Sequence, residues 1–206
     1  MKSIPIFPLN LVIFPGSRYP LHIFEERYRI LINKCIKESC NFGIVATFEK
    51  IMTDVGVLVK VSEVIRKYEN GEIDIIVEGI ERFLISSTSL HIDGYFISEV
   101  EKYPDRIETI DSNLIRELEE EFEEVVELAN YKLENSFWIN LKNAEMKSYK
   151  IAEKSGMSYN QQQEFLILKS ENERLYFLIN YFRLIREKVS NSEIIKNIIM
   201  NDGYIN

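Results

Sequence analysis

Apolar residues follow two different periods on the two sides of Pro104, strand-like before it and helical after it. In the first half, residues 42–48, 56–68, 73–86 and 95–103 are dense in Val, Ile, Tyr and Phe, which predicts four strands. Residues 17–22 predict a shorter extended segment. One helix is predicted, over residues 24–40, with Tyr28, Leu31, Ile32, Cys35 and Ile36 along one side. Asn70-Gly71 separates two of the strand runs. Both tolerate positive φ, so residues 64–68 and 73–77 are expected to form a hairpin through a type I′ turn. Strands of this length with a single helix predict a curled sheet or partly open barrel, because a flat sheet would leave edges and one face unburied.

After Pro104, Leu114, Leu118, Phe122, Val125, Val126, Ala129 and Leu133 recur at three- and four-residue steps. Between them stand Glu117, Glu119, Glu120, Glu121, Glu123 and Glu124, read as a solvated helix face. Ser158 with Gln161, Ser170 with Glu173 and Ser190 with Glu193 carry the capping-box spacing that opens a helix. Gly156 suits the end of the helix before the first of them. From Ser170 onward Leu175, Leu178, Ile179, Phe182, Ile185 and Val189 mark one stripe, so the second half is expected to be a helical bundle. The predicted class is α+β, with a β-rich part over 1–104, a helical part over 105–206 and a hinge at Pro104-Asp105. No repeat of 20 to 50 residues and no low-complexity tract intervenes.

With 206 residues and 46% apolar side chains, the chain has enough material for a sizeable core. Its net charge of -8 is uneven, -2 over residues 1–104 and -6 over residues 105–206. Phosphate neutralisation needs clustered Lys and Arg, and the sequence holds no such cluster, so no nucleic-acid partner is expected. The opening apolar run is broken by Pro5, Pro8 and Pro15 and is followed by no small-residue cleavage site, so it is read as the start of the folded domain. No apolar run reaches the length of a membrane span. Cys35 and Cys40, five apart on the predicted helix, would point in different directions and remain reduced thiols, as in a cytoplasmic protein.

Candidate chemistry is sparse. The glycines are too scattered for a phosphate loop, and two histidines with two cysteines make no ligand set, so neither a cofactor nor a metal is expected. Pro15-Gly16-Ser17 imitates a nucleophile turn without its second glycine, and Ser17 reads better as a turn residue. His22 with Glu25 or Glu26 is a conceivable acid-base pair, against the plainer reading of a ring packed under the helix. Glu78 and Glu81 could be paired carboxylates, yet strand alternation and nearby Arg82 favour simple ion pairing. Among the early aromatics, core packing is the first expectation. Phe14, Tyr19, Phe24 and Tyr28 are the candidates for a peptide-binding surface.

Order and spacing then add a resemblance. Ile4-Pro5-Ile6-Phe7-Pro8-Leu9, Val12-Ile13-Phe14-Pro15-Gly16 and Pro20-Leu21-His22-Ile23-Phe24-Glu25 with Arg27-Tyr28 resemble the start of the Lon protease substrate-binding domain. Phe42-Gly43-Ile44-Val45, Val55-Gly56 with Val61, and Val77-Glu78-Gly79 with Arg82-Phe83 continue the likeness. So do Ser148-Tyr149, Ile151-Ala152, Phe165-Leu166 and Ser170-Glu171-Asn172-Glu173-Arg174-Leu175. The resemblance implies a PUA-like β subdomain followed by a helical bundle, and recognition of unfolded or tagged polypeptides without catalytic residues. It also implies a scaffold role for Pro15, Gly16, Pro20, Glu25, Arg27 and Tyr28; by helical spacing, Glu25 and Arg29 are expected to pair one turn apart. A protein-binding adaptor linked to a protease or ATPase partner is the leading expectation. A small-molecule sensor, suggested by the Lon-like region of cereblon, and an RNA-binding PUA-like domain are the alternatives.

Overall fold

A computed structural model describes residues 2–188, which divide at Pro104/Asp105 into two compact units. In chain order the first unit runs β1 (Lys2–Leu9), β2 (Arg18–Ile23), α1 (Glu26–Glu38), β3 (Phe42–Phe48), β4 (Ile51–Met52), β5 (Val55–Lys67), β6 (Ile73–Leu90) and β7 (Phe96–Lys102). The second holds α2 (Ser112–Leu128), α3 (Asn135–Asn143), α4 (Lys147–Ala152), α5 (Tyr159–Leu166) and α6 (Glu171–Lys188). The α+β class is therefore as the periodicity indicates. The Val189 end of the predicted stripe and the pairing of Ser190 with Glu193 lie outside the described residues.

In the first unit the strands pair in the order β1-β7-β6-β5-β3, and β1 then pairs with β3 in parallel, so the path returns to its start. The opening run supplies β1 despite Pro5 and Pro8, which stand opposite Ile97 and Val45. Inside the ring lie Ile4, Ile6, Val45, Leu58, Phe83 and Val100. Burying a side chain the size of Phe83 contributes about 1.5–3 kcal/mol. Its ring takes the space that a Cβ on Gly43 or Gly56 would enter, at 2.6 and 2.7 Å from the nearest ring atom. Glycine at those two positions is thus a packing requirement.

β5 and β6 continue past the ring as a long hairpin, and β2 lies along β6 from Arg18↔Glu78 to Ile23↔Ile73. Burial alternates strictly along β2: Tyr19, Leu21 and Ile23 face in, whereas Arg18, Pro20 and His22 face out. The hairpin occurs where predicted, but its turn differs. Gly71 alone takes positive φ, 87°, and its amide donates to the Tyr68 carbonyl at 3.0 Å, while Tyr68 N–H donates to Glu72 at 2.9 Å. That is a type I turn followed by a left-handed glycine, a three-residue loop to which Asn-Gly is equally suited.

Helix α1 is shorter than its pattern. It starts after an extended Glu25 and stops at Ser39, whose backbone is left-handed at φ 53°. Glu25 does not pair with Arg29; it accepts from Arg27 at 2.7 Å, and Arg29 donates instead to the Asn70 carbonyl at 2.5 Å. Glu25 and Arg27 are two positions apart, and the extended cap conformation is what lets them meet.

In the second unit, Phe122 of α2 lies between Phe137 and Phe182, with ring centroids 5.8 and 5.5 Å away. The Glu-rich run is not wholly solvated. Glu121 is buried and accepts from Arg183 at 2.8 Å, and Glu117 and Glu124 pair with Arg183 and Arg186. Six acids among eight consecutive positions span the helix circumference, so one ridge of them has to face α6. Ser158 and Gln161 form the reciprocal capping box. At α6 only half of one forms: Ser170 Oγ accepts the Glu173 amide at 3.2 Å, while the Glu173 carboxylate pairs with Arg106.

Candidate functional site

The outward face of the arm made by β2, β6 and β5 carries a cluster of polar and aromatic side chains. Register sets His22 opposite Asp74, and Asp74 opposite Arg66. His22 Nδ1 lies 2.7 Å from Asp74 Oδ1 and its Nε2 lies 3.3 Å from Glu72. The other oxygen of Asp74 accepts from the Tyr68 hydroxyl at 2.6 Å, and Arg66 covers the Tyr68 ring at 4.6 Å. Phe24 stacks loosely on His22, centroids 6.1 Å apart, and is 61% exposed. The result is an open aromatic ring beside a bonded His22, Glu72, Asp74 and Tyr68 cluster.

The Tyr68 hydroxyl, and after it His22, hold the Asp74 carboxyl below the usual carboxylate range, and the same bond raises the Tyr68 hydroxyl. A depressed carboxyl favours the folded state above its ordinary range, and that contribution is lost as pH falls through the native value. By NMR titration Asp74 is expected to protonate at lower pH than a free aspartate. Tyr68→Phe should move its midpoint upward, and an unchanged midpoint in that variant would refute the assignment.

The four candidate contact residues fall on two sides of the surface. Phe14, Tyr19 and Tyr28 are 1%, 9% and 3% exposed and belong to the core, Tyr28 stacking on Phe7 at 4.0 Å. Only Phe24 presents its ring to solvent. Its place just before α1, beyond the inward-facing Ile23, turns it out. His22 lies neither under the helix nor against Glu25 or Glu26, because strand alternation turns it outward and sequence-distant Glu72 and Asp74 meet it there. Ser17 is buried; its carbonyl accepts the Gly79 amide at 2.9 Å, which is a turn residue's work. Glu78 and Glu81 pair separately with Lys60 and Lys102, at 3.0 and 2.9 Å, and Arg82 sits over the Tyr103 ring at 5.0 Å.

Two features escaped the pattern of the sequence. Cys40 lies past the end of α1, and its Sγ comes within 3.0 Å of Cys35 Sγ, contrary to the divergence expected of a continuous helix. Burial, then the bond with Cys40, push the Cys35 thiol well up. In the second unit, fully buried Arg174 meets Asp105, Glu171 and Ser148 above the Tyr149 ring. In the sequence only the Ser148-Tyr149 and Glu171–Arg174 motifs pointed toward the second of these, and nothing pointed toward the first.

Among the described residues no helix is long and apolar enough to cross a membrane, and no group of three or more His, Cys, Asp or Glu is placed to hold a metal ion.

The fold has close counterparts. A Lon N-terminal domain protein from Xanthomonas campestris superposes with a TM-score of 0.67 at 21% identity, covering 87% of this chain and 98% of that one. The N-terminal domain of a Mycobacterium avium complex Lon protease gives 0.65 at 20% identity, over 88% and 98%. In sequence, the Lon protease of Buchnera aphidicola subsp. Acyrthosiphon pisum (strain APS) is 26% identical over 192 residues, 86% of this chain but 24% of that protein. The chain thus spans about a quarter of the length of that relative. The family model of the ATP-dependent protease La (LON) substrate-binding domain matches residues 3–182. With that model matching all but the first two residues and the C-terminal end, the chain belongs to the Lon substrate-binding domain family.

Proposed function

We propose that this chain is a non-enzymatic recognition module that holds exposed apolar or unfolded segments of other polypeptides, acting as an adaptor in cytoplasmic proteolysis or quality control. In this reading the closed ring is a PUA-like scaffold, the helical part a bundle annexed to it, and a protease or ATPase the working partner. Neither nucleic acid nor membrane is a partner, in keeping with the charge of -8. The observation that carries the reading is Phe24. A large aromatic side chain left 61% exposed on a substrate-binding-family domain, beside a His22 ring that is itself bonded to Asp74, has the form of a contact anchor with a polar neighbour.

Backbone and side-chain ordering oppose such binding, so micromolar affinity is expected. A fluorescently labelled, permanently unfolded polypeptide titrated with the full chain should give saturable anisotropy. Phe24→Ser, with circular dichroism unchanged, should weaken it about tenfold, equivalent to about 1.4 kcal/mol. Unchanged affinity in that variant would move the surface elsewhere. No saturation of the unaltered chain up to high micromolar concentration would end the reading.

A further inference from the structure

The end of α1 brings two thiols together in a way that the recognition reading does not use. Ser39 adopts φ 53° and ψ 36°, and the amides of Ser39 and Cys40 both donate to the Cys35 carbonyl, the latter at 3.1 Å. This left-handed cap folds the chain back over the last turn, and the residue after the cap commonly packs on the turn it crosses. Here that contact is sulfur on sulfur, at 3.0 Å, about 1 Å beyond the ~2.05 Å of a bonded pair. Cys35 is 2% exposed, whereas Cys40 is half-buried. Both line a cleft of about 330 Å³ whose opposite wall includes Lys60, Ser62 and Val64 of β5.

We propose that Cys35 and Cys40 form a two-electron redox site, with Cys40 as the residue attacked from the cleft and Cys35 as the one that closes the disulfide. With a peroxide as oxidant, the Cys40 sulfur takes one oxygen, the O–O bond breaks, and the other oxygen leaves as water. Cys40 is then a sulfenic acid. The Cys35 sulfur attacks the Cys40 sulfur and displaces hydroxide, which takes the Cys35 proton and leaves as a second water. Two thiols are oxidised and one peroxide is reduced. A low-molecular-weight disulfide reaches the same product through a mixed disulfide on Cys40, releasing two equivalents of its thiol. Burial and the raised thiol of Cys35 fit its role as the resolving partner rather than the first to react. Oxidation would pin the left-handed cap and replace two thiols of the cleft wall with one disulfide.

The test is to treat the full chain with one equivalent of hydrogen peroxide, and separately to equilibrate it in glutathione redox buffers, followed by intact-mass and peptide mapping. The unaltered chain should lose two hydrogens, remain a single chain on a non-reducing gel, and yield the linked Cys35–Cys40 peptide. Cys35→Ser should stop at a sulfenic acid on Cys40 that dimedone traps, or at a stable glutathione adduct. Cys40→Ser should leave Cys35 unreactive while circular dichroism reports a folded chain. Because Cys35 is buried and its variants could unfold, the order of alkylation in the unaltered chain gives a second reading: Cys40 should label well before Cys35. Retention of both thiols, over-oxidation of Cys40 without the internal bond, links between chains, or first labelling at Cys35 would each overturn the proposal.

Discussion

Arg174→Met should destabilise the second unit by about 3–5 kcal/mol, the usual cost of removing one partner from a buried charge network. The side chain is fully buried and every arm of the guanidinium is engaged. Nη1 donates to Asp105 Oδ1 at 2.9 Å and to the Leu168 carbonyl at 3.0 Å, Nη2 to Glu171 at 3.0 Å, and Nε to Ser148 Oγ at 3.2 Å. Glu171 in turn accepts from the Ser148 amide and hydroxyl at 3.0 and 2.6 Å. Burial opposes the charge on Arg174, but the Asp105 bonds and the neighbouring Glu171 outweigh it and hold the group protonated. Methionine would leave two carboxylates without their cation. Adding Glu171→Gln to that variant should recover part of the loss, and Arg174→Lys should also fall short, since an ammonium cannot reproduce the fork. The sole tryptophan, Trp138, lies in this unit, so denaturant unfolding followed by its fluorescence reports the change directly. A loss below about 1 kcal/mol would show that the network is dispensable.

The second large effect is expected at Gly79. Its amide donates to the Ser17 carbonyl and its carbonyl accepts from Gly16, both at 2.9 Å, which draws the loop after β1 tightly onto β6. A Cβ there would stand 2.3 Å from the Phe14 carbonyl oxygen, a backbone atom that cannot swing aside. Gly79→Ala should therefore cost about 2–4 kcal/mol, from overpacking together with weakened hydrogen bonds. Gly16→Ala is the matched control. Its φ is 77° but its Cβ would meet nothing within 4 Å, so only the left-handed backbone penalty of about 1–2 kcal/mol applies. Calorimetry of the full chain should rank the two in that order, and equal losses would place the strain in the loop rather than on β6.

Much of the fold was legible because it depends on local period. Strand β3 starts and ends where its apolar run does, and the stripe of α6 is buried at Leu175, Leu178, Ile179, Phe182 and Ile185 as its spacing requires. The site was less legible because it is made of encounters between sequence-distant residues. Strand alternation turns His22 outward, but its partners stand some fifty residues further on, and pattern alone cannot show that Asp74 and Glu72 will meet it. Phe14, Tyr19, Phe24 and Tyr28 look alike in sequence. Strand parity buries Tyr19 and helix phase buries Tyr28, while Phe14 in the loop after β1 and Phe24 between β2 and α1 have no period to tell them apart. The cysteine contact was hidden for a different reason: a continuous helix separates positions five apart, and a serine, not the customary glycine, makes the left-handed stop that reunites them.

The pairing of β1 with β7, from Lys2↔Val100 to Ile6↔Phe96, has a consequence for biosynthesis. Strand β1 is made before the other strands of the unit but cannot gain its second neighbour until nearly the whole unit has been translated. Until then β1 and β6, the two strands that β7 will join, expose unpaired amides and carbonyls on that side, and contacts spanning such a sequence distance form slowly. Nascent chains ending before β7 are thus the species most in need of chaperone shielding, and a pause in translation there would prolong that exposure.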